Sequence, residues 1–307
     1  MARVRRTDRK EAGPSVGAAV DAFLSSLGNA GTARNYAGTL RALVTQLGVD
    51  TPLAALASPL AGAEVCSWFE ARWGERGAAT WNRNLDAVRS ASSYWADQGW
   101  LEADPAQGLR RRKRPPDRTR AISRAEVEAL LSRGDVALRD KTLWRMLYET
   151  AARISEVLSL DVPDLNLRTH QARVRRKGGA ADVIVWQTGT ARLLPRLLQG
   201  RKAGPVFLTE RRARVALPAT DLDPVSGQAR LSYRRAAEVF EEATGGWALH
   251  QLRHSALTHA AEDGANTSTL LAYSGHTSVS SLARYTRVSA EALTRWQESR
   301  DPGRRRR

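Results

Sequence analysis

Apolar side chains recur along the first hundred residues at the spacing of a helix face. Val20, Phe23, Leu24 and Leu27 mark one stripe, Tyr36, Leu40, Leu43, Val44 and Leu47 a second, and Trp81, Leu85, Val88 and Trp95 another. The stretch from Leu60 to Trp73 is apolar but less regular. Four or five short helices in a compact bundle are therefore expected. Beyond position 121 the pattern mixes. Ser123, with Glu126 three places on, predicts a capped helix over Ser123–Leu131, and Leu143–Leu147 falls within another. Ile154, Val157 and Leu158 are set to bury while Arg153 emerges at a helix junction. From Arg173 to Trp186 the period drops to two, with Val174, Val183 and Val185 flanking Lys177-Gly178-Gly179-Ala180, which predicts a β-hairpin with a Gly-rich tip. Residues 204–208 are expected as an edge strand, and 211–228, rich in Pro and Asp, show no readable pattern. Helices are expected over 231–242, over 248–263 with Leu249, Leu252, Ala256 and Ala260 inward, and over 267–274, ending at Gly275. A last amphipathic helix opens at Ser289 and carries Leu293 and Trp296. The fold class is thus mainly α with a small β-sheet.

Turn chemistry divides this pattern. Asp104-Pro105 breaks the third stripe, and a basic run with two consecutive prolines follows from Gly108 to Arg120. The expected organisation is a basic disordered tail (1–14), a helical domain (15–107), a basic linker (108–120), a second, mixed domain (121–290) and a C-terminal helix with an Arg-rich tail (291–307). A net charge of +16 over 307 residues points to a polyanionic partner, with nucleic acid first. Charge alone does not separate DNA from RNA or from an anionic membrane surface. The candidate phosphate contacts are Arg34 and Arg41 on the second stripe's helix, Arg83 and Arg89 off the apolar face of the third, and Arg111, Arg112, Lys113 and Arg114 in the linker. A linker lying along a phosphate backbone competes there with a nuclear localisation signal. The single cysteine, Cys66, excludes an internal disulfide and a cysteine-based zinc site, and the five histidines offer no convincing metal set. No apolar run reaches the roughly 18 residues that span a bilayer, and no secretory apolar region opens the chain. A cytoplasmic, nucleoid-associated protein without a membrane partner is the expectation.

The reactive side chains concentrate between positions 247 and 285. His250 and Arg253 stand three residues apart on one predicted helix, His276 falls in a turn after Gly275, and Tyr285 follows nine positions later. Cleaving a phosphodiester without a metal requires fixed cations at the non-bridging oxygens, a proton for the leaving oxygen and an in-line nucleophile. Arginine meets the first need with a planar, permanently charged fork. Lysine can release a proton, and Lys177 is the only lysine in the hairpin. Histidines exchange protons near neutral pH. For Tyr285 alone the end of an amphipathic helix suggests a core residue; its distance from His276 reverses that reading. Tyr233 and Tyr273 lack such a context and are expected to pack, and His259 projects elsewhere on its helix.

Ala-Ala-Arg153-Ile-Ser-Glu156, the hairpin lysine Lys177, His250-Gln-Leu-Arg253-His-Ser, Ser-Gly-His276 and Tyr285 resemble, in this order, the tyrosine recombinase family of phage integrase, Xer and Cre-like enzymes. The resemblance implies a helical core-binding (SAM-like) domain and an α+β catalytic domain forming a C-shaped clamp on double-stranded DNA. It implies strand exchange in a homotetramer, or a heterotetramer with a related recombinase, using no metal, nucleotide or other cofactor. Carried over, Tyr285 is the nucleophile that forms a 3′-phosphotyrosyl link. Arg153 and Arg253 hold the scissile phosphate, His276 bonds a phosphate oxygen, His250 assists proton transfer and Lys177 protonates the leaving 5′-oxygen. Glu156 and His254 would support them from behind. Ala151 stands where a glycine is frequent, Ser274 replaces a frequent leucine, and no glycine precedes Lys177. The resemblance suggests that the last helix docks into a neighbouring subunit, with Trp296 as an anchor. Two rival readings are a relaxing topoisomerase of related chemistry, against which the separate N-terminal bundle speaks, and an inactive DNA-binding or architectural protein, disfavoured by the complete reactive set.

Overall fold

A polar stitch and an indole hold the first helices together. Thr39 donates to Asn84 Oδ1 at 2.6 Å in a buried site, and Trp95 Nε1 donates to the Ala19 carbonyl at 2.9 Å. The computed structural model describes residues 13–115, 121–176, 179–282 and 285, with 294, 297 and 298 beyond. The chain separates into two units, 1–116 and 117–307. Residues 1–12 of the expected tail (1–14), the end of the basic run (116–120), Lys177, and the expected last helix with Trp296, except 294, 297 and 298, lie outside the described residues; Pro14, expected in the tail, accepts instead from the Leu53 amide at 3.0 Å.

The first unit contains α1 (Val16–Ser26), α2 (Ala30–Leu47), α3 (Pro59–Trp73) and α4 (Ala78–Asp97). Ser15, Asn29 and Ser58 each accept an amide of the first turn that follows, which sets the starts of α1, α2 and α3. Val16, Val20 and Phe23 of α1 pack with Leu40 and Leu43 of α2 and with Ala91 and Trp95 of α4. The irregular stretch is a full helix, α3. Its pattern is obscured because Leu60 is exposed while Val65 and Phe69 bury in two different clusters. Main-chain groups of 109–112 are fastened to α4, through Trp81 Nε1 to Arg110 O and a reciprocal Asn82–Arg112 pair, all at 2.8 Å.

The second unit is built around α6 (Leu138–Thr150), preceded by α5 (Arg124–Ser132) and followed by the five-residue α7 (Ile154–Leu158). Ser123 and Glu126 form the expected capping box at α5. Strands β1 (Leu165–Asn166), β2 (Gln171–Arg175) and β3 (Ala181–Val185) form an antiparallel sheet in that order, with Val174 opposite Asp182. The hairpin is where the alternation predicts it, but on β3 Val183 and Val185 face outward and Ile184 is the buried residue. After α8 (Thr188–Leu198), the expected strand at 204–208 is corrected. Pro205 makes only an isolated bridge to Asp161, Val206 and Phe207 are fully buried, and β4 runs over Leu208–Arg212. Polar side chains on β4 hid it, since it pairs with β5 (Gln228–Arg230) as an exposed ribbon. Helices α9 (Tyr233–Thr244), α10 (His250–Glu262) and α11 (Thr267–Ser274) complete the unit, with a 3₁₀ turn at Val279–Leu282. Leu143, Trp144, Met146 and Leu147 of α6 share one core with Ile184, Leu194, Phe240 and Leu252. Among the described residues no helix is long and apolar enough to cross a membrane.

Candidate active site

Three helix ends create the site. Helix α6 stops at Ala151, which takes a left-handed conformation (φ 47°), and Arg153 then caps α7. Glu156, in the first turn of α7, accepts from the Arg153 amide at 3.0 Å and from the Arg153 side chain at 2.8 Å. Helix α11 stops at Gly275, also left-handed (φ 60°), where a Cβ would collide with the Arg176 guanidinium. Only glycine suits both the dihedral and the space. That turn presents His276.

Helix α10 brings Arg253 between these ends. Its guanidinium is buried and donates to the Ala151 carbonyl and, at 2.7 Å, to the Ser274 carbonyl. It also lies 3.3 Å from His276 Nε2. Burial, reinforced by the positive charge of Arg153 and opposed by Tyr285 and Glu156, pulls Arg253 down to about 10. It therefore stays charged at neutral pH. Tyr285 is 2% exposed and belongs to an apolar cluster with Ala151, Ala256, Leu257, Leu270 and Leu282. One side of its ring stacks with His276 (centroids 6.1 Å apart, planes 20° apart), and His254 packs on it at 5.2 Å.

Arg153, Glu156, Arg253, His254, His276 and Tyr285 thus come together around one small volume. His250 opens α10 on an exposed position, one turn before Arg253, so it borders this group rather than sharing its buried face. Of the two tyrosines expected to pack, Tyr233 is instead exposed at the start of α9, whereas Tyr273 donates its hydroxyl to the Tyr148 and Glu149 carbonyls, and burial pushes its phenol well above the usual range. His259 bonds the Tyr148 hydroxyl through Nδ1 at 2.8 Å. Among the described residues no three His, Cys, Asp or Glu side chains are grouped to hold a metal ion.

Arg176 escaped sequence reading. Its side chain, 9% exposed, pairs with Glu156 at 3.2 Å and with Asp182 at 2.7 Å. The signal was the register, because Ala172 and Val174 point inward and position 176 continues their face. A charge on the buried face of a strand needs a partner.

In the first unit Arg34, Arg41, Arg83, Arg111, Lys113 and Arg114 are exposed. Arg83 and Arg114 line one shallow hollow with Tyr36 and Asp86, and Arg111 pairs with Asp86. Arg89 and Arg112 are engaged by their own unit. Arg89 donates to the Leu109 carbonyl at 2.6 Å, and Arg112 donates to the Gly74 and Arg76 carbonyls with its guanidinium 3.7 Å from the Trp81 ring centre.

Comparison with known proteins gives the chain its relatives. A family model described as "Phage integrase family" matches residues 120–292. Tyrosine recombinase XerD of Mycobacterium leprae (strain TN) is 33% identical over 69% of this chain and 70% of its own. Tyrosine recombinase XerC of the same organism is 30% identical over 85% of this chain and 90% of its own. Among solved structures, a lambda integrase tetramer bound to a Holliday junction shares the fold with a TM-score of 0.66, at 14% identity, over 91% of this chain and 80% of that one. The Tn1549 transposon integrase in complex with circular intermediate DNA does so with a TM-score of 0.64 at 16% identity, over 93% of this chain and 99% of that one.

Proposed function

The chain belongs to the phage integrase family of tyrosine recombinases, enzymes that break and rejoin DNA, and on that premise we propose a site-specific recombinase whose nucleophile is Tyr285. The observation that carries this reading is the seating of Tyr285 against His276, which itself contacts the buried, carbonyl-bound Arg253. Arg153 and Arg253 bind the non-bridging oxygens of the scissile phosphate, and His276 donates a hydrogen bond to one of them. The phenolic oxygen of Tyr285 bonds to phosphorus as its proton leaves through His250. The bond from phosphorus to the 5′-oxygen breaks, and that oxygen takes a proton from the Lys177 ammonium, leaving a neutral amine. In the reverse step a 5′-hydroxyl attacks the 3′-phosphotyrosyl bond and restores both groups. The linkage keeps the phosphodiester energy, so religation needs no ATP, and in this scheme the developing charge falls to Arg153 and Arg253.

The substrate in this reading is a double-stranded recombination site, held by a homotetramer or by a heterotetramer with a related recombinase, in the cytoplasm on the nucleoid. The exposed arginines of the first unit and the exposed members of the 111–114 run contact its phosphates. The domain reading stays as proposed, with core binding by 15–107 and catalysis by 121–290. A substrate nicked beside the crossover should trap a covalent protein–DNA adduct. Tyr285→Phe should abolish the adduct, by more than about 10³-fold, while leaving DNA binding in a mobility-shift titration unchanged. An adduct that persists in this variant would show that another residue attacks.

A further inference from the structure

An α-helix leaves its last carbonyls without partners inside the helix, and a glycine-capped end can satisfy them in two ways. Helix α11 takes the simpler one, in which the Gly275 amide donates to the Leu271 carbonyl at 2.8 Å. In the fuller one the next amide, that of His276, would return to the same carbonyl. Here the His276 amide donates instead to the Ser274 hydroxyl oxygen at 3.2 Å, and that hydroxyl donates onward to the Leu271 carbonyl at 3.2 Å. Ser274 is fully buried, so both bonds lie inside the protein. Its carbonyl, at the end of the helix, accepts from Arg253 at 2.7 Å and from Arg176 at 3.3 Å. One residue thus holds two members of the site, the Arg253 guanidinium by its main-chain oxygen and the His276 main chain by its side-chain oxygen. The 3.3 Å contact between Arg253 and His276 Nε2 closes the triangle.

We propose that Ser274 is a positioning residue that sets the His276 ring against Arg253, its hydroxyl standing in for the main-chain acceptor that this form of helix end does not give the His276 amide. This rests on the roles proposed above for His276 and Arg253. The residue between them in the turn is Gly275, which has no Cβ to restrain its peptide, so a bond lost at the His276 amide is felt at the His276 side chain. Removal of the hydroxyl leaves the Ser274 carbonyl in place, and Arg253 keeps both of its carbonyl partners. The deficit therefore falls on the hydrogen bond from His276 to the phosphate more than on the arginine grip. A shift of about 1 Å in such a group costs on the order of 10²-fold in rate.

The experiment uses the full chain and the duplex recovered by crosslinking it to its DNA in cells, nicked beside the crossover. Ser274→Ala should form the adduct about 10-fold more slowly than wild type at unchanged DNA affinity, and amide exchange at His276 should quicken by at least about 10-fold. In a His276→Ala background the same substitution should change the adduct rate by less than about 2-fold, because the group it positions is gone. A purely structural serine would cost the same in both backgrounds. Ser274→Cys, with a weaker acceptor of similar size, should fall between serine and alanine in both rate and exchange, and it carries the comparison should Ser274→Ala fail to fold. Where His276→Ala forms no measurable adduct, that graded series decides, since rate should follow exchange along it. Equal slowing in the two backgrounds, unchanged exchange at His276, or rates that do not follow exchange would overturn the role of Ser274. An adduct that survives Tyr285→Phe, or a His276→Ala variant as fast as wild type, would instead overturn the assignments beneath it.

Discussion

The two units use arginine in opposite ways. In the first, Arg34, Arg41 and Arg83 stand on exposed helix faces, where charge is worth little to the fold and its effect on a polyanion is additive and screened by salt. In the second, Arg253 and Arg176 are buried, and each holds carbonyl or carboxylate groups drawn from different elements. Removing an exposed arginine deletes one contact. Removing a buried one strands the groups it was satisfying, and several elements lose their common anchor. Within the first unit Arg112 crosses over, because its guanidinium lies against Trp81 and two main-chain carbonyls.

Arg253→Ala should show the largest effect that this contrast predicts. Under the proposed reading, adduct formation falls by more than about 10³-fold. The unpaired Ala151 carbonyl, together with a Ser274 carbonyl left to the longer bond from Arg176, adds a loss of roughly 1–3 kcal/mol, readable as a lowered urea midpoint. A variant that keeps its stability would mean that those two carbonyls find other partners. Arg112→Ala and Arg41→Ala sharpen the comparison inside one unit. The first should lower stability by about 1–2 kcal/mol through the lost stacking and carbonyl bonds. The second should leave stability within about 0.5 kcal/mol and reduce the slope of log affinity against log salt by about 0.9. Exchanged outcomes would break the division between structural and phosphate-facing cations.

The smallest expected effect is on pH dependence. Burial first, and the charge of Arg124 second, hold His259 below its ordinary value of 6.5. The neutral ring is favoured in the fold, where it bonds Tyr148. Its contribution is complete above 6.5, falls as the unfolded chain takes up a proton below that, and is gone once the pH passes the lower folded value. Melting temperature should therefore drop on acidification below pH 6.5, and His259→Gln should flatten that drop. An unchanged profile in the variant would assign the acid sensitivity to other groups.

Much of the candidate site is legible in the sequence because several of its residues carry their local geometry with them. Gly275 ends a helix and so exposes His276, while Arg153 follows the break at Ala151 and has Glu156 three residues on to orient it. What stays hidden depends on distant partners. Helix α3 divides its apolar residues between two clusters, which erases a single stripe. The β4–β5 ribbon is polar because one side of it meets water, while Val206 and Phe207, which read as a strand, are core residues at a crossing. Arg176 looks like one more basic residue in a basic stretch until Glu156, Asp182 and Ser274, up to 98 positions away, close around it.

Only 2% of the surface of Tyr285 is open, so the residue is shut away from solvent by its neighbours. Under the proposed reading, attack would then begin with a local shift that parts the ring from some of those neighbours, and the apolar contacts around it would set the cost of that shift. Duplex that merely rested on the surface would meet a closed door, and a safeguard against stray nicking would lie in the packing of a single aromatic residue.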